Sequence, residues 1–176
     1  MDLGLTGKVA LVTGASKGIG KAIAEEFAKE GAHLSICARG QADLATAAEE
    51  LRRYGVAVIA TPADVTKPDD IQRVIDVTIK QCGRIDILVN NAGSAWLGHS
   101  IDTPDAQWQY AWDVNLQSAV VHARGCPRDA PARRRAYYQR VYVRCPHGVG
   151  LRHGGLQRDQ SRAALVLALH GHGVGS

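Results

Sequence analysis

One octapeptide constrains this chain more than any other stretch: Thr13-Gly14-Ala15-Ser16-Lys17-Gly18-Ile19-Gly20 stands between two segments of different hydrophobic period. Before it, Val9-Ala10-Leu11-Val12 reads as a short buried strand. After it, Ile19, Ala22, Ile23 and Phe27 fall on one face of a helix expected from Gly18 to Glu30, which Gly31 stops. Glycines in such a turn allow a tight reversal and let backbone N–H groups come close to an anion, while the helix N-terminus adds a favourable dipole. A glycine-rich turn alone is weak evidence. The strand–turn–helix context is what a dinucleotide-binding loop requires, and it is met here.

The alternation continues downstream. Residues 34–38 read as a second strand, 43–54 as a helix ended by Gly55, and 56–60 as a third strand. A helix is expected over 69–82, with Ile71, Val74, Ile75 and Ile79 at helical spacing, then a fourth strand over 85–90. Pro104 opens a longer helix running to about His122. Strands separated by helices imply βαβ units and hence an α/β fold: a Rossmann-type, doubly wound parallel sheet. No solenoid-type repeat is present.

That pattern stops near residue 125. Residues 1–127 carry 12 Lys+Arg against 15 Asp+Glu, whereas 128–176 carry 9 against 2, and all nine cations are Arg. The tail, with Arg133-Arg134-Arg135, scattered His and Gly and a single apolar run over 163–169, offers little surface to bury and is expected to be irregular. Two regions follow: 1–127, a nucleotide-binding domain, and 128–176, an Arg-rich tail. Charge of this kind can mark a nucleic-acid-binding segment, but the tail lacks a recognised module and the aromatic spacing of a stacking platform, so no nucleic-acid partner is expected. No run of about 18 apolar residues exists, so no membrane partner is expected either. The four cysteines, Cys37, Cys82, Cys126 and Cys145, lack Cys-x-x-Cys spacing. Together with an N-terminus unlike a secretory signal, this suggests a reduced, cytoplasmic protein. His147, His153, His170 and His172 have no Cys or acid at metal spacing, and no metal site is expected. Trp96, Trp108 and Trp112 read as packing residues, His99 as a surface loop residue and Asp86 as a cap or pairing group near its strand.

The spacing Thr-Gly-x-x-x-Gly-x-Gly resembles that of the short-chain dehydrogenase/reductase family, and three further elements occur in the family's order. They are Asp64-Val65 after the third strand, Asn90-Asn91-Ala92-Gly93 at the end of the fourth, and Asn115 within Asp113-Val114-Asn115-Leu116. The nearest likeness is to 3-oxoacyl carrier-protein reductases and related sugar or ketone reductases. The resemblance implies a cofactor site at Thr13, Gly14, Ser16, Lys17, Gly18, Ile19, Gly20, Asp64, Val65, Asn91, Ala92 and Gly93, with Asp64 near the adenine ring. It implies that Asn115 holds a catalytic water and lysine. NAD-binding members place an acid at the end of the second strand, whereas this chain has Ala38 and then Arg39. Arg39 and Lys17 would elsewhere be read as solvated cations. Here they suit a 2′-phosphate, so NADP(H) is the expected cofactor and NAD(H) the second option.

The resemblance also implies a Ser, and a Tyr-x-x-x-Lys pair that supplies the proton for hydride transfer. No lysine follows Lys80, so the pair is absent from residues 116–176. Codon degeneracy suggests a reason. Tyr137 to Arg140, written TAT TAT CAA CGT and read one base on with the codon of Ala136, gives Arg-Ile-Ile-Asn-Val. Extended from Arg128, the reading permits Gly-Met-Arg-Arg-Arg-Gly-Gly-Gly-Arg-Ile-Ile-Asn-Val-Ser, the family's usual approach to its fifth strand. Over 156–165 it permits Tyr-Asn-Ala-Thr-Lys-Ala-Ala-Leu, so Ser, Tyr and Lys fall opposite Val143, Leu156 and Gln160. A one-base slip near 125–127 would account for the tail. The expectation is therefore an oxidoreductase by family, acting on a small-molecule carbonyl or secondary alcohol, with activity compromised in this chain. The alternative is an inactive nucleotide-binding fragment or frameshifted product. A homo-oligomer is compatible with the resemblance.

Overall fold

The computed structural model describes residues 3–94, 102–120 and 136–139. Strands β1 (Val9–Thr13), β2 (His33–Ala38), β3 (Val58–Pro62), β4 (Ile87–Asn90) and β5 (Ala136–Gln139) form one sheet in the order β3-β2-β1-β4-β5, every pair parallel. Helices α1 (Gly18–Lys29), α2 (Gln41–Arg52) and α3 (Pro68–Cys82) make the crossovers, and α4 (Asp105–Trp112) follows β4. This is the expected doubly wound α/β arrangement.

The period of two along the strands divides the core. Ala10, Val12, Leu34, Ile36, Ile87 and Val89 point to one face, packed by Phe27 and Ala24 of α1 and by Leu44, Ala47 and Leu51 of α2. Leu11, Cys37 and Leu88 point to the other, packed by Ile71, Val74 and Ile75 of α3 and by Val114. Phe27, Leu11, Leu34, Ile36, Leu44, Leu51, Ile71, Ile75 and Leu88 are fully buried, and each contributes about 1.5–3 kcal/mol by leaving water. The second face also holds a buried hydroxyl pair, Ser35 Oγ with Thr78 Oγ1 at 2.6 Å; the Thr78 hydroxyl also donates to the Val74 carbonyl.

Several boundaries differ from the sequence reading. β3 starts at Val58 rather than Val56, because Leu34 pairs with Val58 and the Ala57 N–H donates to His33 Nδ1 instead of a ladder partner. Pro62 ends β3; a residue without an N–H is tolerated because β3 is an edge strand. The helix expected through about His122 is interrupted: α4 passes into a π-helical turn, Asp113–Gln117, before residues 118–120 return to α-helical form. No strand was expected beyond residue 127, yet Ala136–Gln139 adds β5 alongside β4, in register Leu88↔Tyr137. The edge of β4 would otherwise leave its backbone groups unpaired, and Tyr137-Tyr138 is a strand-forming pair. Trp96, His99, Cys126, Cys145, the four tail histidines, Arg133 to Arg135 and the apolar run over 163–169 lie outside the described residues.

Asp86 fulfils its expected role. It is buried, accepts the Val9 N–H at 2.9 Å and Arg84 Nε at 3.0 Å, and also takes an N–H from Arg84 Nη2. Its own N–H donates to the Val9 carbonyl, so one residue aligns the starts of β1 and β4. Replacing Asp86 by Ala leaves the Val9 N–H without its acceptor. A urea titration of Asp86→Ala should show a loss of about 2–3 kcal/mol in unfolding free energy.

Candidate functional site

β1 has β2 on one side and β4 on the other, and the chain changes direction of winding between them. In an open parallel sheet the carboxyl ends of two such strands leave a crevice between the loops that diverge from them. Here one wall is the glycine loop after β1 and the other is the segment after β4. Gly14, Lys17, Gly18, Ile19, Gly20, Asn91, Ala92 and Gly93 line a cleft of about 240 Å³ between them.

Two polar residues form the floor. Thr13 Oγ1 donates to the Val89 carbonyl at 3.3 Å and accepts the N–H groups of Asn91 at 3.0 Å and Ala92 at 2.9 Å. Asn91 Nδ2 donates back to the carbonyls of Thr13 at 2.9 Å and Gly14 at 3.2 Å. Both residues are buried, so their side chains serve mainly to hold the two strand ends together. This closeness explains two glycines. A Cβ on Gly20 would overlap Asn91 Nδ2 and the Gly14 carbonyl. Gly14 has φ +65°, and a Cβ there would lie 3.0 Å from Ala92 Cα.

The first turn of α1 faces this cleft and, alone among the four helices, carries no acidic residue: the first turns of α2, α3 and α4, equally without a side-chain cap, carry Asp43, Asp69 and Asp70, and Asp105. Its N–H groups therefore remain available to an anion. Ile19 lines the cleft and is exposed, whereas Ser16, half-buried in the loop, is not among the lining residues. Cys37 lies fully buried beneath the loop, where the Ala15 N–H donates to its carbonyl at 3.2 Å. Burial pushes its thiol pKa up to about 12, offset in part by a backbone hydrogen bond from Gly14.

The remaining expected residues, Arg39, Asp64, Val65 and Asn115, are not among those lining the cleft. Arg39 follows β2, is exposed, and donates from Nη1 to Tyr110 Oη at 3.1 Å. Among the described residues neither Arg39 nor Lys17 has a carboxylate partner. Asp64 turns its carboxylate onto Thr66, accepting from the N–H at 3.0 Å and Oγ1 at 2.8 Å, while Val65 is buried in the second core cluster. The Asp64 N–H donates to Asp70 Oδ2 at 2.8 Å; that bond, then Arg73 beside it, lowers the Asp70 pKa. Asn115 lies in the π-helical turn and closes a two-bond ring with the Ser94 backbone: Oδ1 accepts the N–H at 3.1 Å and Nδ2 donates to the carbonyl at 2.9 Å. Single π-turns inside helices recur at functional sites. The structure thus brings Asn115 to the segment that continues from Asn91, Ala92 and Gly93.

Sequence reading missed three contributors. Asp70 and Ser94 act through backbone bonds, and Tyr110 reaches Arg39 from a distant helix. Only Asp70 had a signal, as an acid in the first turn of α3. The expectation that Trp108 and Trp112 are packing residues is corrected. They are 53% and 56% exposed, because α4 turns Tyr110 rather than the tryptophans towards the second cluster. Among the described residues no helix is long and apolar enough to cross a membrane.

Residues 8–134 match the short chain dehydrogenase family, and the chain belongs to that family of oxidoreductases. It is 51% identical over 90 residues to 11-beta-hydroxysteroid dehydrogenase 1A of Arabidopsis thaliana, covering 51% of this chain and 26% of that protein. It is 40% identical over 114 residues to dehydrogenase/reductase SDR family member 4 of Caenorhabditis elegans, covering 64% and 44%. In structure it resembles L-sorbose reductase of Gluconobacter frateurii complexed with NADPH and L-sorbose, at 43% identity and a TM-score of 0.70, over 72% of this chain and 48% of that one. The chain thus matches less than half the length of these relatives.

Two measurements check the geometry. Gly20→Ala should cost about 1–3 kcal/mol of stability through overlap with the strand ends. Gly18→Ala, where a Cβ meets no atom within 4 Å but φ is +60°, should cost about 1–2 kcal/mol from backbone strain alone; a denaturant series on both variants reads the two losses as unfolding free energies, and a Gly20→Ala variant as stable as the parent would contradict the clash. In native protein at pH 8, iodoacetamide should leave Cys37 unmodified until denaturant is added, as read by peptide mass spectrometry.

Proposed function

We propose that this chain binds NADP(H) in the cleft between the glycine loop and Asn91-Ala92-Gly93, as the cofactor half of a reductase acting on a carbonyl or secondary alcohol. The observation that carries the reading is the cradle itself. Gly14, Gly18 and Gly20 line the cleft with backbone alone, and the first turn of α1, which carries no acidic residue, faces it. Such a cradle fits a pyrophosphate. Lys17 and Arg39 at the rim, with no acid directly after β2, favour a 2′-phosphate over free ribose hydroxyls. The NADPH found in L-sorbose reductase supports the same choice by similarity.

A bound nicotinamide would supply or accept hydride. This chain's residues hold the nucleotide, and Asn115, fixed to Ser94, orders the wall beside it. They offer no Tyr-x-x-x-Lys pair to pass the accompanying proton, since no lysine follows Lys80. Losing a positioned acid or base removes about 10²–10⁴-fold in rate. We therefore infer binding with little or no turnover.

A second reading concerns the origin of the tail, and β5 favours it. The strand occupies Ala136–Gln139, the positions at which the codons read one base on permit Arg-Ile-Ile-Asn. A one-base slip near residues 125–127 would leave the strand in place while erasing the Ser, Tyr and Lys opposite Val143, Leu156 and Gln160.

Fluorescence titration of the full chain should show NADPH binding about 10–100-fold tighter than NADH, with no NADPH consumption across a panel of ketones. Equal affinities would overturn the cofactor choice, and turnover would overturn the inactive reading. The nucleotide sequence through codons 115–176 should encode the family pattern one base on; a different sequence there would exclude the slip.

A further inference from the structure

We propose that Tyr110 is a positioning residue for Arg39, and that the pair, rather than Arg39 alone, sets a preference for a nucleotide bearing a ribose 2′-phosphate. The inference rests on the nucleotide reading above. Arg39 lies one residue past β2, at the carboxyl edge of the sheet beside the glycine loop. Its side chain is long and exposed, and an unheld arginine there samples many rotamers. Among the described residues one side-chain contact restrains it, the 3.1 Å bond from Nη1 to Tyr110 Oη.

Tyr110 is suited to that task. Its ring packs against the second core cluster, which includes Leu11, Cys37 and Val65, so the hydroxyl has a fixed address at the rim. The hydroxyl is neutral and can accept a hydrogen bond without cancelling the guanidinium charge, as a carboxylate would. Asp43 lies near Gly40 in the first turn of α2 but makes no ion pair with Arg39. A guanidinium carries five N–H donors, so one bond to Tyr110 leaves the rest for phosphate oxygens. Holding a flexible cation in advance lowers the ordering cost of binding. Nothing in this arrangement assists a nucleotide whose ribose 2′-hydroxyl is free.

The test is a double-mutant cycle on the full chain, read as NADPH and NADH dissociation constants by fluorescence titration at fixed salt. Tyr110→Phe keeps the ring and the packing. It should weaken NADPH binding about three- to tenfold, leave NADH binding unchanged, and cause no further loss when added to Arg39→Ala. Unchanged or tighter NADPH binding in Tyr110→Phe, while Arg39→Ala weakens it, would overturn the role of Tyr110. Equal losses for both nucleotides would overturn it too, since that marks a structural effect. If Arg39→Ala itself leaves the NADPH-to-NADH ratio unchanged, the cofactor reading fails instead. Tyr110→Leu, judged against its own thermal midpoint, serves as a second variant: the same NADPH-specific loss is expected.

Discussion

Everything in the site depends on the hydrogen bonds that join Thr13 to Asn91. Parallel strands that diverge at their carboxyl ends have no ladder to hold them there. Thr13 and Asn91 replace the ladder with side chains, exchanging bonds with Val89, Ala92, Gly14 and each other's backbone. Each such bond has a net value of about 1 kcal/mol. Removing one partner costs more, because the groups left behind are buried. The clamp also dictates sequence around it. With Asn91 Nδ2 pressed against the loop, a Cβ at Gly20 would overlap it, and one at Gly14 would be both crowded and strained by a φ of +65°. Both glycines also line the cleft, so the close fit of the clamp and the backbone wall of the cleft meet at the same positions.

The two-sided core places the other parts. α1 and α2 pack on one face and α3 and α4 on the other, so the carboxyl ends of β1, β2 and β3 share one rim. Arg39, Asp64 and the glycine loop reach that rim from successive crossovers. α4 arrives from the opposite side of the switch point, bringing Tyr110 to Arg39 and, through the π-helical turn, Asn115 to Ser94. Without the inserted residue of that turn, the helix would continue at its ordinary pitch and present a different side chain to Ser94.

Most of the sheet and the glycine loop were legible in the sequence because their signals are local. A strand of Val-Ala-Leu-Val, a helix with apolar residues at spacing three and four, and glycines between them are set by near neighbours. The parts that were not legible depend on distance. Tyr110 and Arg39 have no sequence relation that would pair them. The π-helical turn leaves the hydrophobic period nearly unchanged. Trp108, Trp112 and Leu116 repeat at helical spacing, as a core stripe would, yet they are exposed, and the buried members of that segment are Val114, Ser118 and Ala119. β5 was missed because Ala-Tyr-Tyr-Gln follows three arginines and shows no alternation; its place is set by the open edge of β4.

The central claim is that the diverging ends of β1 and β4, clamped by Thr13 and Asn91, form the nucleotide site. Hydrogen–deuterium exchange on the full chain, with and without saturating NADPH, tests it most directly. Protection on binding should concentrate in peptides covering residues 14–20 and 91–94, with a smaller effect around Arg39, and should leave α2 and the carboxyl half of α3 unchanged. Protection confined to other segments, with the glycine loop exchanging as before, would contradict it.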